Sequence, residues 1–450
     1  MDLSSTNKVF LIGIGGMGMS ALAKYFHQKN IQVYGYDREA SKITENLTNL
    51  GSKIIYNFND FNVNEFKSDI DNTLVIYTPA ISKEYPLLIK FKENEFNIFK
   101  RAEVLQKISE GSKCIAIAGT HGKTTTSAML AHILKVSDLK FSAFVGGIMV
   151  NYNSNFLYNG EDYILVEADE FDRSFLKLNP NYACITSLDP DHLDIYEDSN
   201  SLIEAFEQFK NNIVDDGFLI SHEDVRISSK KYGIIESSDY LAKNITSNKS
   251  FSQFDLCFDG GKIENLKLHS QGLHNVMNSV AAVSIAIELG ISDKKIVEAL
   301  SSFKGVERRF SYKIDNETMV LIDDYAHHPE EIKQVYNTLK LIYPNDNLLV
   351  VFQPHLYSRT RDMLDEFAEE LSKFDAVILL EIYAARENPI EGISSDVLLK
   401  RIKSKYKFLS EKSELSSLIK DIGFKVNITL GAGDIANEVE QIKSELEYAI

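Results

Sequence analysis

The segment CIAIAGTHGKTTTSAML, residues 114–130, constrains this chain more than any other. Residues 115–118 read as a buried strand, 119–122 as a glycine turn, and Lys123 with three threonines as the start of a helix. A strand delivering its C-terminal end to a helix N-terminus leaves unpaired backbone N–H groups converging on one spot. Those donors and the helix dipole both favour negative charge, which predicts a phosphate site. Lys123 adds a mobile cation, and the Thr124 hydroxyl is placed to hold a Mg²⁺ bridging phosphates. The strict G-x-x-x-x-G-K-[ST] pattern is missed by one residue. Ile117 stands where the first glycine belongs, and Gly119 replaces it two positions later in a tighter turn.

The length of 450 residues allows about two to four domains. At 44% hydrophobic and 25% charged residues the composition is that of a globular protein with ample core. No apolar run approaches a membrane span, and the first residues run directly into a strand without a secretory pattern. A cytoplasmic protein is therefore expected. Cys114, Cys184 and Cys257 are far apart in apolar surroundings and read as small core residues. The net charge of −17 argues against nucleic acid or an anionic membrane as partner. Anionic substrates would need locally gathered basic residues or Mg²⁺.

Residues 8–37, KVFLIGIGGMGMSALAKYFHQKNIQVYGYD, repeat the strand–glycine–helix theme. Gly13, Gly15 and Gly18 match G-x-G-x-x-G between an apolar strand and a helix, and Asp37 closes the next strand. The pattern predicts a pyrophosphate site, with Asp37 on a ribose, and leaves the pyrophosphate unidentified. The alternation continues through strands over 53–56 and 73–77, the latter ending in Thr78-Pro79-Ala80-Ile81-Ser82.

The next informative stretch is DYILVEADEFDRSF, where an apolar strand ends in Glu167, Asp169, Glu170 and Asp172. Such a run is usually a solvated face, but Glu167 terminates a buried strand in a domain that needs Mg²⁺. A third strand over 182–187 runs into LDPDHLDIY, so three parallel strands end at one sheet edge. Ligands collect at such edges, which makes His192 a candidate for metal or phosphate. Residues 215–268 are strand-like without legible chemistry. Asn275 and Asn278 then lie one turn apart at the start of an apolar helix, either as caps or within reach of a base or ribose. Adjacent Arg308 and Arg309 cannot both point the same way; one is expected on ATP phosphates and the other is structural. Beyond them, strands are expected over 319–323, 348–352, 376–381 and 425–430. Their ends carry DDYAHHP, QPHLYSRTR, YAARE and GAGD, a gathering of His327, His328, His355, Arg359 and Arg361.

The set GIGGMGMSALA, GTHGKTTT, EADE, DHLD, HNVMN, ERRF and DDYAHHP resembles the ATP-dependent Mur ligases of peptidoglycan synthesis. Likeness runs from about residue 8 to residue 434, and is strongest to the branch that adds L-alanine. The resemblance implies an α/β protein of three domains. These are a Rossmann-like UDP-sugar domain over 1–109, a central P-loop ATPase-type domain over 110–312, and a Rossmann-like amino-acid domain over 313–450. It implies an ATP-dependent carboxylate–amine ligase that joins L-alanine to UDP-N-acetylmuramate, an early step of cell-wall synthesis, working as a monomer or homodimer. Gly15, Gly16, Met17, Gly18, Met19 and Ser20 would hold the UDP pyrophosphate. Thr78, Ala80, Ser82 and Arg101 would help seat the nucleotide-sugar. Gly119, Thr120, His121, Gly122, Lys123, Thr124 and Thr125 would hold ATP, with His121 between ATP and the muramyl carboxylate. Thr124 and Glu167 would ligate one Mg²⁺ and His192 a second. Asn275 and Asn278 would lie by the adenosine, Arg309 by the phosphates, and Asp323 or Asp324 by ribose or a domain closure. Tyr325, His327 and Arg359 would surround adenine and the incoming amino acid. These residues suit acyl activation by phosphoryl transfer, followed by attack of the amine on the acyl phosphate.

This sequence departs from that pattern in places. Phe171 and Arg173 interrupt EADESD-x-SF, Leu356 stands where many relatives carry Arg, and Arg386 where glycine is usual. Leu356 removes one candidate clamp for the alanine carboxylate, leaving glycine or L-serine as weaker alternatives. A sister ligase that attaches a ready-made tripeptide is the neighbouring reading. A nicotinamide-dependent oxidoreductase is the remote one, since it leaves the second phosphate loop unexplained.

Overall fold

The structure, a computed structural model, describes residues 3–189, 199–385 and 387–447, so His192 and Arg386 lie outside it. Among the described residues the strands form three sheets, and the α/β class with Rossmann-like terminal parts is present as expected.

The N-terminal sheet runs in the order Lys53–Ile55, Gln32–Tyr36, Lys8–Ile12, Thr73–Tyr77, Asn97–Lys100. Every pairing is parallel. Lys8–Ile12 is buried beyond its first residue, as a strand covered on both faces must be. Phe10 meets Phe61, Phe66 and Phe91 at centroid distances of 5.3, 5.6 and 4.9 Å. Strand order reverses between Lys8–Ile12 and Thr73–Tyr77, which opens a crevice at their C-terminal ends. The glycine loop leaves the sheet there.

In the central part, Lys113–Ala118 pairs in parallel with Tyr163–Glu167 and with Tyr182–Ile185. The expected common edge is therefore real, but the third strand stops at Ile185 rather than 187. Thr186 and Ser187 bend onto the phosphate loop instead. A hairpin that the sequence did not announce, Phe141–Met149 with Ser154–Tyr158, pairs beside Tyr163–Glu167. The strand-like stretch after residue 215 resolves into Phe218–His222, Lys230–Gly233, Tyr240–Ser247, Ser252–Phe258 and Gly261–Leu268.

The C-terminal sheet runs Ser311–Asp315, Val320–Asp324, Val426–Leu430, Leu348–Phe352, Ala376–Leu379, Tyr406–Leu409. Only the first strand is antiparallel. Its central strands are wholly buried, which the apolar runs predicted.

By compactness the chain divides in two. One unit holds the described residues up to Leu241 together with Val280–Ala299; the other holds Ala242–Ser279 and the chain from Leu300. The first unit joins the N-terminal sheet to the central one through the helix Met17–Gln28. Tyr25 of that helix packs 5.7 Å from Phe144 and 6.2 Å from Phe156 of the hairpin, and Lys29 pairs with Glu161 at 2.5 Å. The three cysteines are unbridged, with Cys114 and Cys184 buried. Among the described residues no helix is long and apolar enough to cross a membrane.

Candidate active site

The phosphate loop leaves Lys113–Ala118 through Gly119 (φ +126°) and enters the helix Lys123–Val136 through Gly122 (φ +82°). Both are left-handed positions that favour glycine. At Gly119 a Cβ would also lie 2.2 Å from Thr186 Oγ1 and 2.8 Å from the Ser187 N, so the neighbouring strand end admits no side chain. Thr186 and Ser187 in return hold the loop. Ser187 Oγ accepts from the His121 N–H at 2.8 Å and shares a hydrogen bond with Thr120 Oγ1 at 2.9 Å; Thr186 Oγ1 donates to the His121 carbonyl. His121 Nε2 lies 3.9 Å from the Asp189 carboxylate. No side chain caps the helix that follows. Its first-turn N–H groups therefore face the loop mouth, with Thr124 and Thr125 buried beside them.

Lys123 Nζ donates to the Gly119 carbonyl at 2.5 Å and to both carboxylate oxygens of Glu170 at 2.9 and 2.8 Å. Glu170 has no solvent exposure. Burial pushes its carboxyl up to about 7, against the pull of Lys123. Burial opposes the Lys123 charge too, but Glu170, Asp169 and Glu167 outweigh it and hold the ammonium above its ordinary value. The lysine thus stays cationic where phosphates would arrive. Next to it, Thr124 Oγ1 donates to Glu167 Oε1 at 2.9 Å, while Gly146 N–H donates to Glu167 Oε2 at 2.7 Å. A hydroxyl and a carboxylate at a loop mouth are hard oxygen donors. That set fits Mg²⁺, which takes a few protein oxygens and completes its shell with water and phosphate.

The glycine loop is built on the same plan. Gly13 has φ +83°, and Gly16 precedes the helix Met17–Gln28 without a side-chain cap. A Cβ at Gly18 would sit 1.8 Å from Arg101 Nη1, so the guanidinium lies directly across this residue. Arg101 also reaches Asp169 at 3.6 Å. Thr78 closes the crevice from the neighbouring strand, its Cγ2 3.5 Å from where a Gly13 Cβ would be. Thr78 Oγ1 accepts from the Ala80 N–H at 3.5 Å, and Ser82 Oγ donates to the Glu84 carboxylate. Asp37 already braces the backbone, Oδ2 accepting from the Gly15 N–H at 2.7 Å and Oδ1 from the Arg38 N–H at 2.8 Å. Two expectations need correction here. Ser20 is fully buried, and its hydroxyl donates to the Met17 carbonyl at 2.9 Å rather than to a pyrophosphate. Met19 is a core side chain and can offer only its backbone.

The second unit gathers the remaining candidates. Arg308 donates to Asp323 at 3.2 Å and to the Gly431 carbonyl at 2.6 Å, which makes it the structural arginine of the pair. Asp323 is 2% exposed and also accepts from Thr429 at 3.1 Å, so it holds Arg308 and Thr429 in place and is not open to a ribose. Asp324 accepts from the Phe310 and Ala326 N–H groups at 2.6 and 2.7 Å, and burial pushes its carboxyl up to about 6. Contrary to the expected divergence, both guanidinium groups flank one ring: Arg308 and Arg309 lie 5.3 and 5.1 Å from the Tyr325 centroid. Arg309 faces Glu331 at 3.9 Å, a residue that sequence reasoning passed over. Glu331 also accepts from the His327 N–H at 2.9 Å. The His327 and His355 rings are 5.8 Å apart, and Arg359 Nη1 lies 3.4 Å from His355 Nδ1. Tyr325, His327, His355 and Arg359 are therefore one cluster. His328 is not part of its chemistry, since its Nδ1 caps the helix Pro329–Ile342. Arg361 turns to Asp362. Leu356 is buried at φ +71°, a costly conformation for a branched side chain. Asn275 Nδ2 donates back to the Gln271 carbonyl at 2.8 Å, and Asn278 is buried one turn later.

Family profiles match nearly all of this architecture: "Mur ligase family, catalytic domain" over residues 8–113, "Mur ligase middle domain" over 117–286, and "Mur ligase, glutamate ligase domain" over 308–432. The chain belongs to the Mur ligase family. It is 46% identical over 446 residues to the UDP-N-acetylmuramate–L-alanine ligase of Christiangramia forsetii, covering 99% of each chain. Its fold is similar to the crystal structure of the UDP-N-acetylmuramate–alanine ligase MurC of Thermotoga maritima, with TM-score 0.83 and 29% identity over 98% of this chain and 100% of that one. The murein peptide ligase Mpl of Psychrobacter arcticus shares the fold at TM-score 0.73 and 22% identity, over 98% of each chain. In this Mur ligase the two helix N-termini without a side-chain cap that follow the glycine loops, at residues 17 and 123, stand in the same compact unit.

Proposed function

We propose that the chain is an ATP-dependent carboxylate–amine ligase. In this reading it joins L-alanine to the lactyl carboxylate of UDP-N-acetylmuramate through an acyl phosphate. One placement carries the reading: Arg101 lies across Gly18 of the glycine loop and reaches Asp169 beside the phosphate loop, linking two anion sites. Likeness over the full length to the Christiangramia forsetii ligase supports the choice of sugar and amino acid.

On this reading the N–H groups at residues 17–19 seat the UDP-sugar, with Gly15 and Gly16 shaping the loop through their bonds to Asp37 and the Gly13 carbonyl and with Arg101, Thr78, Ala80 and Ser82 beside it. Gly119 to Thr125 receive the ATP phosphates, and Lys123 leaves the Gly119 carbonyl for the γ-phosphate while Glu170 keeps its charge in place. Thr124 and Glu167 would hold Mg²⁺, with His192 at a second ion; the metal would supply charge neutralisation on the transferring group. The muramyl carboxylate attacks the γ-phosphorus and ADP leaves. The neutral amine of alanine then attacks the acyl carbon, and phosphate departs. Asn275, Asn278 and Arg309 would face the nucleotide, and Tyr325, His327 and Arg359 the amino acid. His327 Nδ1 lies 3.0 Å from the Tyr325 carbonyl, which can only accept. Nδ1 therefore carries the proton in the neutral ring, where the Glu331 carboxylate also stands 3.3 Å from it. The division at 109/110 and 312/313, a cytoplasmic setting and a monomeric or homodimeric state complete the proposal.

The test is isotopic. With ¹⁸O in the lactyl carboxylate, one labelled oxygen should leave in the released phosphate. Unlabelled phosphate alongside coupled product would exclude the acyl phosphate.

A further inference from the structure

The hairpin strand Ser154–Tyr158 carries a fully buried amide, Asn155, that belongs to the central sheet yet makes its hydrogen bonds in the N-terminal part. Its Nδ2 donates to the Met17 carbonyl at 2.6 Å and to Ser20 Oγ at 2.9 Å. Its Oδ1 accepts from Lys24 Nζ at 2.8 Å. Residues 17, 20 and 24 recur at helical spacing, so one side chain reads a single face of the helix Met17–Gln28. The orientation of the amide is fixed by chemistry: a carbonyl only accepts and an ammonium only donates, so exchanging its N and O would break both contacts.

The Met17 carbonyl and the Gly18 N–H are the two ends of one planar trans peptide. Drawing the carbonyl toward Asn155 aims the N–H the opposite way, out of the helix N-terminus. The same hydrogen bond polarises that N–H and strengthens it as a donor. Gly18 is also the residue that Arg101 crosses. Apolar packing of Tyr25 on the hairpin would hold the helix near the central sheet without fixing its rotation. The amide supplies that rotation.

We propose that Asn155 is a positioning residue for the nucleotide-sugar: from the central sheet it sets the direction of the glycine-loop N–H groups that receive the pyrophosphate. The inference rests on reading that loop as the UDP-N-acetylmuramate site.

The test measures calorimetric binding of UDP-N-acetylmuramate to the full chain without ATP, for wild type, Asn155→Ala and Lys29→Ala. Lys29 serves as the control because its pair with Glu161 joins the same two parts at the far end of the helix. Asn155→Ala should bind about tenfold more weakly, since small misplacements of binding groups are costly. Its KM for UDP-N-acetylmuramate should rise in step, with KM for ATP within about twofold of wild type. Lys29→Ala should keep its affinity within about twofold, as expected of a part-exposed ion pair. Wild-type affinity in a folded Asn155→Ala, or an equal loss in Lys29→Ala, overturns the proposal. Should Asn155→Ala fail to fold, Lys24→Met removes the Oδ1 contact, along with the longer 3.2 Å bond from Lys24 Nζ to Ser154 Oγ, and should weaken binding about threefold; unchanged affinity there overturns the proposal as well. A wild-type chain that binds no UDP-N-acetylmuramate would instead overturn the reading of the loop itself.

Discussion

Lys123 and Glu170 form a buried pair in which one ammonium sits 2.9 and 2.8 Å from both oxygens of one unexposed carboxylate. Lys123→Ala should abolish turnover and remove the ammonium that faces Glu170. Glu170 holds its proton more tightly folded than unfolded, since its carboxyl is raised from 4.5 to about 7. Its contribution to stability is therefore fully present below pH 4.5 and is lost as pH rises through about 7. The variant should lose about 3–5 kcal/mol at pH 8, where the carboxylate must either stay charged without the ammonium or take up a proton on folding, and much less at pH 5. Urea unfolding at the two pH values checks this; an equal loss at both would contradict it.

Gly146 bears on the proposed metal pair through one contact. A Cβ there would stand 2.4 Å from Glu167 Oε2, whose present partner is the Gly146 N–H at 2.7 Å. Gly146→Ala should turn the carboxylate away from Thr124 and raise the Mg²⁺ concentration for half-maximal turnover by about 10–100-fold. An unchanged Mg²⁺ titration would remove Glu167 from the metal site.

Gly18→Ala tests the other loop. Its Cβ would displace the Arg101 guanidinium, now 1.8 Å from that position. Arg101 is long enough to swing aside, so the fold should survive. The KM for UDP-N-acetylmuramate should rise by about tenfold or more while that for ATP stays put. A shift in both KM values would mean that Arg101 does not distinguish the two ligands.

Asp324 stabilises the start of the C-terminal sheet by accepting from the Phe310 and Ala326 N–H groups at 2.6 and 2.7 Å. Asp324→Ala orphans two buried donors and should cost about 2–5 kcal/mol. Because the carboxyl is raised from 3.8 to about 6, its contribution is complete below pH 3.8 and shrinks as pH rises through about 6. The difference between wild type and variant should thus narrow from pH 4 to pH 8. A constant difference across that range would show that the carboxyl titrates normally.

Sequence patterns were legible where chemistry is local. Strand, glycine turn, Lys123 and Thr124 are consecutive, so the phosphate loop could be read directly, as could the edge that brings Glu167 beside it. Contacts distant in sequence were not. Glu170 looked like one acid in a solvated run, and only the fold turns it inward onto Lys123. Ser20 occupies a motif position that suggests ligand contact, yet the helix face sends it to Met17. Asn155 and Glu331 sit in no motif, and only their partners make them visible. The hairpin Phe141–Met149 was hidden because Gly146 and Gly147 interrupt its apolar alternation.

The most direct measurement is inorganic phosphate release from ATP and Mg²⁺ with UDP-N-acetylmuramate, adding L-alanine, glycine, L-serine or the tripeptide in turn. The account predicts release that requires both the UDP-sugar and L-alanine and vanishes in Lys123→Ala. Release with the tripeptide alone, or none under any pairing by the folded protein, would contradict it.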